Sequence, residues 1–236
     1  MLEAHRGFLA MQKQACELLE RIRHTAMPEG EVQYRATWVR QQGEMRLVPG
    51  RPWLPFVAQE WFEGTDIDFL WQAWVTLPPF LRTRVTDSFQ RGRGDLRASV
   101  FGIVPIVRSR GAAADRGEAQ RGIVELPWRP FSFRESRCLT WDATEEGKLR
   151  ATFNNGKTQT TAEFEVDDEG HVTGGTAFRP RIVGKSVKET TWSGVFSKYR
   201  IFEGLAVPTI AEATWHLSEG PFTYWRGRVV DFRALR

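Results

Sequence analysis

Four histidines, two cysteines and a few carboxylates set inside apolar runs are the side chains of this chain that could do chemistry. No two of His5, His24, His171 and His216 stand at metal-ligand spacing. His5 and His24 flank a helical segment and His171 follows a turn. His216, in Glu212-Ala-Thr-Trp-His216, falls in a strand, where a histidine with one hydrogen-bond partner is the ordinary case. Ser193 lies beside Gly194 but lacks the strand-to-helix elbow of a hydrolase nucleophile. Arg91-Gly-Arg-Gly94 opens no helix, so it reads as a hairpin turn and not as a phosphate loop. Glu60 and Glu212 interrupt apolar strands, where a buried carboxyl has a raised pKa unless it is paired. Arg226, between Trp225 and Gly227, is a partner for either. No catalytic set, metal site or cofactor motif follows from these residues. An enzyme would require Glu60, Glu212, His216 and Arg226 to converge in one cavity.

The positive signal is aromatic. The chain carries 10 Trp and 16 Phe in 236 residues. Trp38, Trp61, Trp71, Trp74, Trp192, Trp215 and Trp225 all fall on expected strands. Aromatics on a sheet commonly fill a core. Trp and Tyr also suit the wall of a ligand cavity, since each offers an apolar body and a polar edge.

The elements that would position these rings can be read from periodicity. Phe8, Met11, Ala15, Leu18, Leu19 and Ile22 recur at three and four, which predicts a helix over Phe8–His24 that stops at Met27-Pro-Glu-Gly30. From Val32 the period becomes two. Ile67, Phe69, Trp71, Ala73, Val75 and Leu77 alternate with polar residues until Pro78-Pro79, the pattern of a half-buried strand. Strands are expected around Arg82–Gln90 and Asp95–Ile103. Ser109–Asp115 reads as a flexible link. A short helix follows near 115–126, with Asp115 and Glu118 as a capping box and Ala119, Ile123 and Leu126 on one face, although Gly117 and Gly122 weaken it. Strands resume at Leu139–Ala143, Lys148–Phe153, Thr158–Val166, His171–Arg179, Trp192–Phe202, Ala206–Leu217 and Phe222–Phe232, with no long helix after about residue 130. Strands joined by short turns are antiparallel, and a doubly wound α/β fold needs helices that are not there. The expectation is a mainly β (α+β) fold. Its body is a large curved antiparallel sheet, an open half-barrel of about 11–13 strands, with an N-terminal helix over 1–29 and a short central helix to cover the concave side. Residues 1–236 form one domain on this reading.

Composition is that of an ordinary globular chain, with 41% hydrophobic and 26% charged residues and a net charge of +4. No run reaches the ~18 apolar residues of a spanning helix, and no signal peptide opens the sequence. The chain as written is expected in the cytoplasm, or at the envelope if a leader has been removed. The basic residues are scattered and form no stripe for nucleic acid. Cys16 and Cys138 are 122 positions apart and read as buried, reduced thiols, with a bridge between them left open.

Several segments resemble a bacterial family of unknown function found in actinobacteria and proteobacteria. They are Trp192-Ser-Gly-Val-Phe-Ser-Lys-Tyr199, Gly204-Leu-Ala-Val-Pro-Thr209, Glu212-Ala-Thr-Trp-His-Leu217 and Tyr224-Trp-Arg-Gly227, with Gln42–Arg46, Trp53–Phe56, Gly102–Pro105 and Glu125–Trp128 earlier in the chain. The resemblance spans residues 30–232 and implies no reaction. The layout is in turn similar to bacterial lipoprotein carriers, which implies a half-barrel that cups a lipid beneath helices.

Three function classes follow. The leading one is a non-catalytic protein that binds a hydrophobic or amphipathic small molecule on the concave face, with Trp71, Trp192, Tyr199, Trp215, Trp225, Glu60, Glu212, His216 and Arg226 as candidate ligand contacts and with peripheral membrane contact. The second is an enzyme acting on a small amphipathic substrate. The third is a structural or interaction module with a filled core. The space between sheet and helices decides among them.

Overall fold

The computed structural model describes residues 2–27, 33–78, 81–184 and 186–236. The helix stop expected at Pro28–Gly30, the strand start at Val32 and Pro79 lie outside those residues, as do the side chains of His5 and Phe8. Among the described residues, thirteen strands form one antiparallel sheet. The first six are β1 (Ala36–Met45), β2 (Leu54–Glu63), β3 (Phe69–Leu77), β4 (Leu81–Gln90), β5 (Arg93–Val100) and β6 (Val104–Ser109). The remaining strands are β7 (Leu139–Ala143), β8 (Leu149–Asn154), β9 (Gln159–Val166), β10 (Val172–Val183), β11 (Ser186–Phe202), β12 (Leu205–Leu217) and β13 (Gly220–Leu235). Helix α1 (Leu2–Ala26) precedes them. Helix α2 (Ala112–Val124), a 3-10 turn (Leu126–Trp128) and the single-turn α3 (Ser132–Glu135) join β6 to β7.

The spatial order is β6-β5-β4-β3-β2-β1-β13-β12-β11-β10-β9-β8-β7. The chain therefore enters at the middle of the sheet, winds outward to one edge, crosses to the other edge and winds back until β13 pairs with β1. That closing pair runs from Ala36↔Leu235 to Met45↔Trp225, with a bulge at Arg40/Gln41. Since β6 and β7 are the two edges, the segment between them has to cross the concave face. It is accordingly buried almost throughout, from Gly117 to Phe133. The two-residue period decides which side chains meet it: Phe56, Ala58, Glu60 and Phe62 of β2 and Phe69, Trp71, Ala73 and Val75 of β3 are buried, and their neighbours are not.

Helix α1 buries the stripe Ala15, Leu18, Leu19, Ile22 and Ala26. It lies across β7, β8 and β12, and its Arg23 Nη2 donates to the Phe133 carbonyl at 3.1 Å. Cys16 is exposed on this helix and Cys138 is half-buried, and neither is bridged. The expectation of two buried thiols therefore fails at Cys16, which falls on the solvent side of the stripe.

Three other expectations are corrected. Ser109–Asp115 is no flexible link, since β6 runs to Ser109 and α2 begins at Ala112. The Asp115–Glu118 capping box does not form. Asp115 Oδ1 accepts the Gly94 N–H at 2.8 Å and Glu118 accepts from Arg179, so both side chains are taken by the sheet. Strand β6 and the first third of β11 escaped notice because both are exposed on both faces and show no alternation.

Gly122 has a tertiary reason. A Cβ there would stand 2.4 Å from the Ile67 carbonyl oxygen, and one on Gly175 would stand 2.8 Å from Val124 Cγ1. The residues that weaken α2 as an isolated helix are those that let it touch the sheet. Gly122→Ala is expected to lower stability by about 1–3 kcal/mol in urea unfolding. Gly7→Ala, with nothing within 4 Å of the added carbon, is expected to be neutral or stabilising.

Candidate functional site

The space between α2 and the sheet is not filled. A cavity of about 450 Å³ lies there, bounded by α2 and by residues of β1, β3, β10, β11, β12 and β13. Its origin is visible in residue size. Helix α2 presents Ala113, Ala114 and Gly117 to the gap, and the sheet opposite presents Gly194, Ala211 and Ala213. Small side chains on both sides leave the space between them unfilled. Trp71, Trp192, Phe196, Trp215, Trp225 and Met45 complete the walls.

A buried charged cluster centred on Arg121 forms part of the same wall. Its Nη2 reaches Glu60 Oε1 at 3.0 Å, Nη1 reaches Asp87 Oδ2 at 2.6 Å, and Nε reaches Glu125 Oε1 at 2.7 Å. The guanidinium lies 4.7 Å from the Phe69 ring centroid and 5.3 Å from that of Trp71. Gln41 Nε2 donates to Glu60 Oε2 at 3.1 Å, and Trp71 Nε1 donates to Gln41 Oε1 at 2.9 Å. One turn back on α2, Glu118 accepts from Arg179 Nη2 at 3.2 Å, and Arg179 lies over Trp192 at 4.6 Å and Trp215 at 5.6 Å. Helix α2 is thus tied to β2 and β4 by Arg121 and to β10 by Glu118.

Four carboxyls share this space with two guanidiniums. Asp87 Oδ1, Glu118 Oε2 and Glu125 Oε2 are sealed from solvent with no N–H to accept from. Glu118 lies within hydrogen-bond reach of Asp87, and Glu60 within reach of Glu125. One proton held in each pair supplies the missing donors. The electrostatics agree. Burial, then the Asp87 charge, push the Glu118 carboxyl up to about 8, and burial, then Glu125, push Glu60 well above the usual carboxylate range. Burial works against the charge on Arg121, but the surrounding carboxylates outweigh it and hold the guanidinium protonated.

The structure brings together Trp71, Trp192, Trp215 and Trp225 on the cavity wall and puts Glu60 directly beneath it. It separates the other candidates. Tyr199 is packed on His171 away from the cavity, and its hydroxyl donates to the Val172 carbonyl at 2.7 Å. Glu212 is among the residues that line the cavity, but it alternates with the buried Ala211 and Ala213 and is itself exposed. His216 is exposed on the convex face, where its Nε2 meets Ser193 Oγ at 2.8 Å. Arg226 is also outside, bonded through Nε to Glu44 Oε1 at 2.8 Å and lying over Trp53. Strand alternation explains the split, since Glu212, His216 and Arg226 occupy the outward phase of β12 and β13. Glu60, Glu212, His216 and Arg226 therefore do not converge.

Sequence reasoning missed Asp87, Glu118, Arg121, Glu125 and Arg179. Two signals could have found part of the set. Glu118, Arg121 and Glu125 recur at three and four along α2, one charged stripe beside the apolar one. Asp87 sits between Val85 and Phe89 on the inward phase of β4. Among the described residues, no group of three or more His, Cys, Asp or Glu is placed to hold a metal ion, and no helix is long and apolar enough to cross a membrane.

The chain belongs to the family of unknown function DUF6544, whose pattern matches residues 18–227. No curated protein matches the sequence. Among solved structures, it is similar to a LolA superfamily protein, NE2245, from Nitrosomonas europaea. That match has 12% identity, 94% of this chain and 93% of the other covered, and a TM-score of 0.51. A DUF1329 family protein from Desulfovibrio piger shows 12% identity, 92% and 90% coverage and a TM-score of 0.53. A putative outer membrane lipoprotein-sorting protein domain from Vibrio parahaemolyticus shows 9% identity, 94% and 92% coverage and a TM-score of 0.52. At such identities the likeness is one of fold, and it agrees with the half-barrel expected from the strand pattern.

The proton pairs make a test. A carboxyl whose pKa is higher in the fold than in the unfolded chain keeps its proton longer when folded. Its contribution to stability is full below the ordinary value of 4.5 and is lost as pH rises through about 8. Glu118→Gln, which is neutral at every pH, is expected to match the wild type near the low end of that window. Toward the high end it should be more stable by a few kcal/mol, read from urea midpoints across the range. A difference that does not change with pH would rule out the shared proton.

Proposed function

We propose that this protein binds a hydrophobic or amphipathic small molecule in the cavity between α2 and the sheet. The observation that carries the reading is the cavity itself: about 450 Å³, walled by Trp71, Trp192, Phe196, Trp215 and Trp225 and left unfilled by small residues on both sides. That volume falls in the usual range of small-molecule sites, roughly 300–1,000 Å³. Asp87, Glu118, Arg121, Glu125 and Arg179 also line it, but they are engaged with one another, so the surface offered to a ligand is mainly apolar. A filled interaction module is disfavoured by the same volume. The enzyme reading loses support because its four polar residues do not meet. Fold neighbours described as a LolA superfamily protein and as a lipoprotein-sorting domain agree with a carrier of apolar cargo, and an envelope setting would suit such a role.

The test is native mass spectrometry of protein purified from cells, with organic extraction of any bound species, alongside titration with a fluorescent fatty acid. A co-purifying apolar ligand, or saturable probe binding with quenching of Trp emission, is expected. Ala213→Trp, which fills the cavity from β12, is expected to weaken probe binding by roughly tenfold or more, since a site without volume excludes its ligand. Protein that is ligand-free and neither binds the probe nor loses Trp emission would end this reading.

A further inference from the structure

Alternate turns of an antiparallel meander fall on opposite rims of the sheet. The β2–β3, β4–β5, β7–β8, β9–β10 and β11–β12 turns lie on one rim, and their side chains include Glu63, Asp66, Glu145, Glu146, Asp168 and Glu203, with Arg91 and Arg93 as cations at the β4–β5 turn. The β1–β2, β5–β6, β8–β9, β10–β11 and β12–β13 turns lie on the other, where β8–β9 (Asn155-Gly156) and β12–β13 (Ser218-Glu219) are polar but the β1–β2, β5–β6 and β10–β11 turns are apolar. Leu47 is 69% exposed at the first, Ile103 82% at the second and Ile182 61% beside the third. Val48, Phe101, Val104 and Val187 are exposed with them. Turn tips ordinarily carry glycine, asparagine, aspartate or serine, and scattered exposed apolar residues are unremarkable. Their concentration at the tips of one rim calls for an explanation.

Cations accompany these apolar tips. Arg51, Arg82 and Lys188 are exposed along the apolar rim. The nearby acids Glu44 and Glu189 are paired with Arg226 and Arg116. Glu219, in the β12–β13 turn, feels Arg181 and Lys188 of the neighbouring hairpin, which puts those two turns side by side. The cavity approaches this rim through Met45, Ile182 and Val187, each within two residues of its strand's rim end.

We propose that the rim carrying the β1–β2, β5–β6 and β10–β11 turns docks on the surface of an anionic lipid bilayer, with Leu47, Phe101 and Ile103 entering the acyl layer. A bilayer is favoured over a folded partner by the arrangement. The apolar side chains stand on separate tips with cations between them, matching an apolar layer under an anionic surface. Docked this way, the cavity faces the membrane and an apolar ligand can pass between them without crossing water. The surface goes beyond the cavity reading and fails or stands independently of it.

The test is flotation with mixed phosphatidylcholine–phosphatidylglycerol vesicles and with pure phosphatidylcholine vesicles. Wild-type protein is expected to float with the mixed vesicles, less so at high salt and little with the neutral ones. The combined variant Leu47→Glu, Phe101→Glu, Ile103→Glu is expected to lose roughly tenfold or more of its partitioning while binding the fluorescent fatty acid in solution as the wild type does. Ile201→Glu, at a residue 61% exposed near the acidic rim, is expected to float unchanged. Absence of wild-type flotation would overturn the proposal, as would a triple variant that floats normally or an Ile201→Glu variant that fails equally. A wild-type dimer in sedimentation that the triple variant dissociates would assign the rim to a second copy of this chain and overturn it too.

Discussion

One guanidinium fixes the relation between the two halves of this protein. The sheet is laid down from its middle outward, so β6 and β7, adjacent in sequence, end at opposite edges. The only covalent link between those edges is the segment that crosses the concave face, and α2 is its body. Arg121 binds that helix to Glu60 of β2 and Asp87 of β4, and Glu118 binds it to Arg179 of β10. With both wings tied to one helix, the curl of the sheet and the height of α2 above it are set together. Buried ion pairs contribute little net stability, because desolvation offsets their attraction. Their effect here is positional: a slip of α2 by one residue would leave several charges buried and unpaired.

The cavity follows from that constraint. Because α2 is anchored through long charged side chains at one end of the gap, its small residues Ala113 and Ala114 leave space opposite Ala211 and Ala213 without the layers collapsing. Where close contact is needed, glycine provides it, at Gly122 against Ile67 and at Gly175 against Val124. The same segment that closes the fold thus roofs the site. Burial raises the Glu118 and Glu60 carboxyls within this cluster, so the stability of the roof depends on pH.

Much of the fold was legible in the sequence because strand alternation is a strong local signal. The β7–β9 meander, the Gly204 turn and the helix–strands–helix–strands order all follow from periods of two and 3.6. What escaped were segments without alternation: β6, exposed on both faces, and Ser186–Thr191 at the start of β11. The site was half legible. Tryptophan on the inward phase of β3, β11, β12 and β13 marked the wall. Glu212, His216 and Arg226 attracted attention because polar residues in apolar strands are conspicuous, yet phase placed them outside. Arg121 and Glu118 were hidden because charges on a short glycine-containing helix resemble a solvated face. Only the crossover topology, which no local pattern encodes, turns that face inward.

The ten tryptophans now divide by face, and that division offers the most direct test of a ligand in the cavity. Protein labelled with 5-fluorotryptophan can be followed by fluorine NMR while a short alkyl amphiphile is added, with each resonance assigned by single Trp→Phe variants. Binding between α2 and the sheet predicts shifts at Trp71, Trp128, Trp192, Trp215 and Trp225, with Trp38, Trp61 and Trp74 on the convex face unmoved. Shifts confined to the convex-face rings, or none at saturating amphiphile, would contradict it.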